Sequence, residues 1–387
     1  MRLSRRVTAF VVASTLLAAG LAGCDSGGDD SGDSTDVVIG ADLASGSTVD
    51  TAYARALQLR IEQINASGKL GHKRLVLRIQ DNRSDATASL RNISTLADDP
   101  KVAAIIAGQC SECIVGAYRT VNSKKVPTIA LAPSDQVSNP VAERRYLFKL
   151  GPNAGDSSAA IVAELARQKL TKIAVLFSDD DYGRGVNSAL SGDLIKAGIT
   201  VTASKSVRPA ATDITQAVGT LTDSEPEALV VLTDPDQATL TAVSASAAGF
   251  KGRLYFDAGA AGDMFIPQEA ATATNGATMV FSQILAIDDV IATTPAKASR
   301  KQWFRDYTSR YGSYSGVASF AADAADLIAD AVSKVGSDRE RIRAVLETSQ
   351  TDGLSGPIRI TPDNHSGLMP QALTLLVARK GRWRIAS

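Results

Sequence analysis

The chain has 387 residues, more than the roughly 250–300 at which one hydrophobic core stops growing, so two lobes are expected. Its 41 Lys and Arg balance 41 Asp and Glu, and 44% of residues are hydrophobic, an ordinary globular composition without the basic surplus of a nucleic-acid binder. Two histidines and three cysteines are too few for a histidine-rich or cysteine-rich metal cluster.

The first residues carry Arg2, Arg5 and Arg6 ahead of an uncharged apolar stretch, Val7 to Leu21. That stretch is short and alanine-rich, which predicts a signal peptide over residues 1–23 rather than a membrane span. It ends in "LAGC", which resembles the lipobox of bacterial lipoproteins and makes Cys24 the expected lipidation site. The Gly/Ser/Asp tract that follows, to residue 36, buries no apolar area and reads as a tether. Acyl chains contribute about 0.8 kcal/mol per buried CH₂, so a diacylated Cys24 would anchor the protein stably on the extracytoplasmic face of the cell membrane. "SRR" at residues 4–6 hints weakly at twin-arginine export, and the general secretory route is the preferred reading. Removing the three arginines leaves 38 basic against 41 acidic groups, a net charge of −3.

Beyond the tether, apolar runs alternate with helical periodicity. "DVVIGADL", "RLVLRIQDN", "VAAIIAG", "PTIALAP" and "YLFKL" predict strands, with helices at 48–66, 85–97 and 113–123 between the first four. A second series follows: a helix at 156–168, "KIAVLFS", a helix at 183–197, "TVTASKSV", a helix at 213–222, "ALVVLTD", a helix at 236–248, "RLYFD" and "GATMVFSQI". Most of the strands are short and rich in Val, Ile and Leu, the mark of parallel strands covered on both faces. The predicted class is α/β, two doubly wound Rossmann-like lobes. Three more helices, at 297–311, 317–335 and 338–348, exceed what a tail on the second lobe would hold. They are assigned to the first lobe, giving lobe 1 as 37–152 plus 286–350 and lobe 2 as 153–285 plus 351–387. The chain then crosses three times, near 150–155, 282–286 and 350–370, which makes a hinge and a cleft.

In open α/β sheets ligands sit beyond the carboxyl ends of the strands. That rule points to Ser111 and Glu112 after "VAAIIAGQC", to Ser134, Asp135 and Gln136 after "PTIALAP", and to Tyr182 in "FSDDDYGRG". Ser111 and Glu112 lie at a helix start, where free N–H groups bind oxygens; Glu112 could equally cap the helix itself. Asp180 or Asp181 is expected to cap the helix that carries Tyr182. The acidic run lacks calcium-loop spacing. No G-x-S-x-G elbow or P-loop occurs, and His72, beside Lys73 before a strand, and His365, in a Pro/Asn/Gly turn, are expected at the surface, so a serine triad has no base. The Cys110-x-x-Cys113 pair is compatible with a thioredoxin-type redox site or with a disulfide locking one loop. Export implies an oxidising compartment, in which the two cysteines should be paired.

The ordered set "ALQLRIEQINASGKLGHKRLVLRIQDNRSD", "KVAAIIAG", "VPTIALAPS", "YLFKLGPN", "KIAVLFSDDDYGRG", "DITQAVGTLTDSEPEALVVL" and "GLSGPIRITPDNHSG" resembles the periplasmic substrate-binding proteins of the leucine/isoleucine/valine type, of the type I fold, from about Val37 to Trp383. The resemblance implies a non-enzymatic, monomeric receptor without cofactor. It would capture an amino acid or related small polar solute between its lobes and deliver it to ABC permease subunits. It also implies that Ser111 and Ser134 face the ligand carboxylate, that Asp234 stands where a tyrosine is common, and that Asp257 lies beside the acidic ammonium-binding position. Glu112 and Asp135 stand where small neutral residues are common. Each would repel a ligand carboxylate by roughly 1–4 kcal/mol per close pair, which favours a neutral or cationic solute. A ligand-sensing lipoprotein without a transporter, or an exported thiol oxidoreductase, are the alternatives.

Overall fold

Short runs of Val, Ile, Leu and Ala form most strands of two large sheets, with a small antiparallel pair (Gln350–Asp352 and Pro357–Arg359) apart, and the polar turns between them start the helices. The computed structural model describes residues 35–386; the signal segment, Cys24 and most of the tether lie outside them. In chain order the elements are β1 (Thr35–Leu43), α1 (Thr48–Ala66), β2 (Lys73–Asp81), α2 (Ala86–Asp98), β3 (Val102–Ala107), α3 (Ser111–Ser123), β4 (Thr128–Ala130) and β5 (Leu147–Lys149). Then follow α4 (Ala154–Arg167), β6 (Lys172–Ser178), α5 (Asp181–Ala197), β7 (Thr200–Val207), α6 (Thr215–Thr222), β8 (Ala228–Leu232), α7 (Pro235–Ala247), β9 (Arg253–Phe256) and β10 (Thr278–Ser282). The chain closes with α8 (Pro295–Tyr311), α9 (Ala318–Val335), α10 (Arg339–Leu346), β11 (Gln350–Asp352), β12 (Pro357–Arg359), β13 (Leu373–Arg379) and β14 (Arg382–Ile385).

The first sheet has the order β2-β1-β3-β4-β5, all parallel. The second has the order β14-β13-β10-β9-β8-β6-β7, parallel except for β13 and β14 at one edge. β3 and β8 are buried at every position, as strands covered on both faces must be. The alanine-rich α9 packs along α1, and α10 packs on α9 and β3, so the late helices cover the first sheet. Among the described residues no helix is long and apolar enough to cross a membrane.

Three crossings join the sheets, and they are bonded to one another. Lys149 at the end of β5 pairs with Ser366, its N–H donating to the His365 carbonyl at 2.9 Å. The buried Asp323 carboxylate of α9 accepts from the Leu354 and Ser355 amides at 2.7 and 2.8 Å. His365, expected at the surface, is instead fully buried here. It stacks on Phe148 with centroids 4.3 Å apart, its Nδ1 lies 2.8 Å from the Leu147 carbonyl, and burial lowers its pKa. A turn-like "PDNHSG" pattern does not reveal that the turn is covered by β5, more than 200 residues earlier in the chain. His72 is exposed.

One glycine matters for the cleft. A Cβ on Gly108 would lie 2.5–2.7 Å from the Asp50 carboxyl, which accepts from the Ala44 and Gln109 amides and so ties the loop after β1 to the loop after β3. Gly108→Ala is expected to destabilise the protein by about 2 kcal/mol in urea unfolding, through the loss of those two bonds.

Candidate functional site

The ends of β3, β4, β6, β8 and β9 meet between the two sheets, and the residues following them line a divided cleft. A narrow central part of 50 Å³ lies between Gln109, Pro133, Tyr182 and Gly259. It leads on one side to a 300 Å³ pocket bordered by Ser134, Asp135, Gln136 and Tyr182. On the other side lies a larger 430 Å³ cavity against Ser47, Pro235 and Asp236. Gly46 and Ser47 show that the loop after β1, which strand patterning alone did not mark, also lines the cleft; its sequence signal is the N-cap Ser47.

α3 starts at Ser111 rather than Cys113, because the Cys110 sulfur accepts from the Cys113 amide at 3.2 Å and acts as the cap. The two cysteines form a disulfide with Cα atoms 5.2 Å apart. Glu112 therefore sits in the first turn and does not cap the helix. Its carboxyl faces Asp180 and Asp181 at the start of α5, on the other side of the cleft. Burial first, then the Asp180 charge, raise its pKa, while the Asp181 amide and Arg184 oppose them. Asp180 is the α5 cap, accepting from the Gly183 amide at 2.7 Å.

The other candidates are largely engaged within the protein. Ser111 Oγ accepts from the Ser134 amide at 3.2 Å, and Ser134 Oγ from the Gln136 amide at 3.3 Å. Asp135 accepts from the fully buried Lys149 ammonium at 3.0 Å through one oxygen and from the Ala154 amide at 3.1 Å through the other. The lysine neutralises Asp135, so the repulsion expected from this carboxylate toward a ligand anion is removed. Gln136 keeps an exposed side chain at the pocket rim, and its carbonyl accepts from Arg144. Asp234 caps α7 by accepting from the Gln237 amide at 2.8 Å, and burial raises its pKa.

Tyr182 and Asp257 form a buried pair. The tyrosine hydroxyl donates to one Asp257 oxygen, and the other oxygen has no partner. Burial pushes the Asp257 carboxyl up to about 7, with the tyrosine bond opposing it. Gly259 makes room for this ring, since a Cβ there would fall 2.2 Å from the Tyr182 hydroxyl. Ser111, Glu112, Asp234 and Asp257 line none of the three cavities; Ser134, Asp135, Gln136 and Tyr182 line one together. Among the described residues no group of three or more His, Cys, Asp or Glu is placed to hold a metal ion. Chemically, the arrangement is a polar cleft able to bind a small solute.

A family profile described as periplasmic binding protein matches residues 38–382. The chain is 25% identical over 216 residues to a protein called Leu/Ile/Val-binding protein homolog 7 from Brucella abortus, a match covering 53% of each chain. It is also 26% identical over 171 residues to an amino acid binding protein from Pseudomonas aeruginosa, covering 42% of this chain and 45% of that one. These matches thus span about half the length of the curated relatives. Among solved structures, an extracellular ligand-binding receptor from Rhodopseudomonas palustris HaA2 superposes with a TM-score of 0.81 at 20% identity, covering 90% of this chain and 99% of that one. A leucine binding protein from Thermotoga maritima superposes with a TM-score of 0.76 at 19% identity, covering 91% and 98%. The two-lobed architecture, the cleft at the strand ends and the match along nearly the whole described chain agree: the chain belongs to the periplasmic binding protein family, with the fold of its type I members.

Proposed function

We propose that the protein is the solute receptor of an ABC importer, held at the outer face of the cell membrane by a lipid on Cys24. It captures an amino acid or a related small polar solute between its lobes and passes it to permease subunits as a monomer, without catalysis or cofactor. The observation that carries this reading is the cleft itself. It lies at the strand ends of two sheets joined by three crossings, and residues from both sides line it. Relatives named as Leu/Ile/Val-binding or amino acid binding proteins support the solute class. Ser134, Gln136 and Tyr182 are the proposed contacts at one end of the cleft. The disulfide supports a binding role over a redox one, because Cys113 is buried and the bridge fixes the first turn of α3.

The test is a thermal-stability screen across free amino acids, amides, polyamines, short peptides and sugars. A ligand at 100 times its Kd is expected to stabilise the fold by about 2.7 kcal/mol. A flat response across the whole panel contradicts the receptor reading. Lipid anchoring is tested separately with Cys24→Ser in the producing cell, which is expected to move the protein from the membrane fraction to the medium or periplasm.

A further inference from the structure

The widest part of the cleft is bordered by charged side chains that form no hydrogen bond or ion pair among the described residues. The 430 Å³ cavity opens between the early turns of α1, the start of α7, the segment Asp263–Pro267 and the loop after α8. Arg55 reaches it from α1 on the first lobe, and Asp263 from the second. Among the described residues neither side chain has a hydrogen-bond or ion-pair partner. The Arg55 guanidinium lies 5.5 Å over the Tyr311 ring, and the Tyr311 hydroxyl donates to the Arg55 carbonyl at 3.0 Å, which orients the arginine. One turn further along the same helix, Arg60 closes an ordinary pair with Asp326 at 2.9 Å.

Asp263 is held away from such a pairing by its backbone. Its segment is bridged to Ser315 and to Arg382, the Met264 amide donates to the Tyr314 carbonyl at 2.9 Å, and the Ile266 amide donates to the Gly381 carbonyl at 2.9 Å. Burial raises the Asp263 pKa and the Arg55 charge opposes it, so the two groups sense each other across the cavity without meeting. Phe265, 54% exposed, is the only exposed large apolar side chain on this wall among the described residues, and Phe256, Met279 and Trp383 supply further apolar surface. A cation on one lobe, the Asp263 and Asp236 carboxylates on the other and an aromatic ring beside them form a two-ended recognition surface. The volume lies within the roughly 300–1,000 Å³ typical of small-molecule sites, whereas the central part of the cleft, at 50 Å³, admits little.

We infer that this cavity is the seat of an amphoteric solute about the size of a dipeptide, with its anionic end on Arg55, its cationic end on Asp263 and its apolar or aromatic body against Phe265. The inference rests on the receptor reading and adds the position, charge and size of the solute. A ligand bonded to both ends joins the lobes by charge, so each end strengthens closure.

The test uses calorimetric titration of the purified protein with four probes: the dipeptide Leu-Phe, its N-acetyl form, its C-terminal amide, and leucine. Leu-Phe is expected to bind more tightly than leucine. Arg55→Gln is expected to weaken Leu-Phe at least tenfold while leaving the amide unchanged. Asp263→Asn is expected to weaken Leu-Phe at least tenfold while leaving the N-acetyl form unchanged. Neither side chain has a hydrogen-bond or ion-pair partner to lose among the described residues, so both variants are expected to keep the wild-type circular dichroism and to melt no lower than wild type without ligand. Arg310→Gln, which removes a surface pair with Glu62, is the control and is expected to bind as wild type. Binding that survives in the Arg55 and Asp263 variants but is lost in Gln136→Ala or Tyr182→Phe places the solute at the narrower end; it overturns this inference and leaves the receptor reading standing. Absence of binding by all four probes and by the wider solute panel overturns both.

Discussion

Lys149→Met is expected to lower unfolding free energy by about 3 kcal/mol, because removing one partner leaves a set of desolvated acceptors without a donor. The ammonium is fully buried where β5 leaves the first sheet. It donates to Asp135 at 3.0 Å, the Pro152 carbonyl at 2.8 Å and the Asn153 side chain at 2.9 Å, with the Gly151 carbonyl at 3.4 Å. Burial lowers the lysine pKa and the Asp135 charge opposes that, which is the balance of a cation kept inside by its partners. Methionine fills the stem volume and supplies no donor. Asp135 is about one-third exposed, so solvent relieves part of the loss, which keeps the expected value at the lower end of the range for broken buried pairs. Urea unfolding checks this. Adding Asp135→Leu to Lys149→Met is expected to recover part of the stability, since the double change removes the orphaned carboxylate. A loss below about 0.5 kcal/mol for the single variant, the range of ordinary surface substitutions, contradicts the account of this crossing.

Asp257→Asn is expected to have the opposite sign at neutral and alkaline pH. The folded-state pKa of about 7 lies above the ordinary 3.8, so between those values the folded protein holds a proton that the unfolded chain releases. Stability from this group is therefore fully present below about pH 4 and is lost as pH rises through about 7. Asparagine keeps the shape and an acceptor for the Tyr182 hydroxyl and carries no charge to bury. The variant should be more stable than wild type at pH 8, by up to about 4 kcal/mol at about 1.36 kcal/mol per pH unit. Its stability should also fall less between pH 4 and 8. A residual slope remains because Asp50 and Asp323 are each raised to about 6 by burial. Coincident pH–stability curves for wild type and Asp257→Asn contradict the assignment.

The architecture was legible because it depends on local pattern. Apolar runs such as "VAAIIAG" and "ALVVL" became strands buried along their length, and the cap Asp180 marked a helix start. Some of the loops that border the cleft, such as those after β3 and β4, were also legible, because ligand position in open α/β sheets follows from strand direction, whereas the loop after β1 and the segment from Asp263 to Pro267 were not. What each loop residue does was not, since it depends on partners distant in sequence. Asp135 reads as a free turn carboxylate until Lys149 is brought beneath it, and His365 reads as a surface turn until Phe148 and Leu147 cover it. Arg55 sits in a helical pattern whose exposed face looks like any other. Only the fold brings it opposite Asp263, and neither neighbouring sequence carries a trace of that approach.

The central claim is that one solute is held by both lobes at once. Hydrogen–deuterium exchange, with and without the solute giving the largest thermal shift, tests it most directly. The account predicts simultaneous protection of the segment from Ser47 to Arg55 on the first lobe and of the segments 234–239 and 258–267 on the second. Protection confined to one lobe, or to neither, would contradict it.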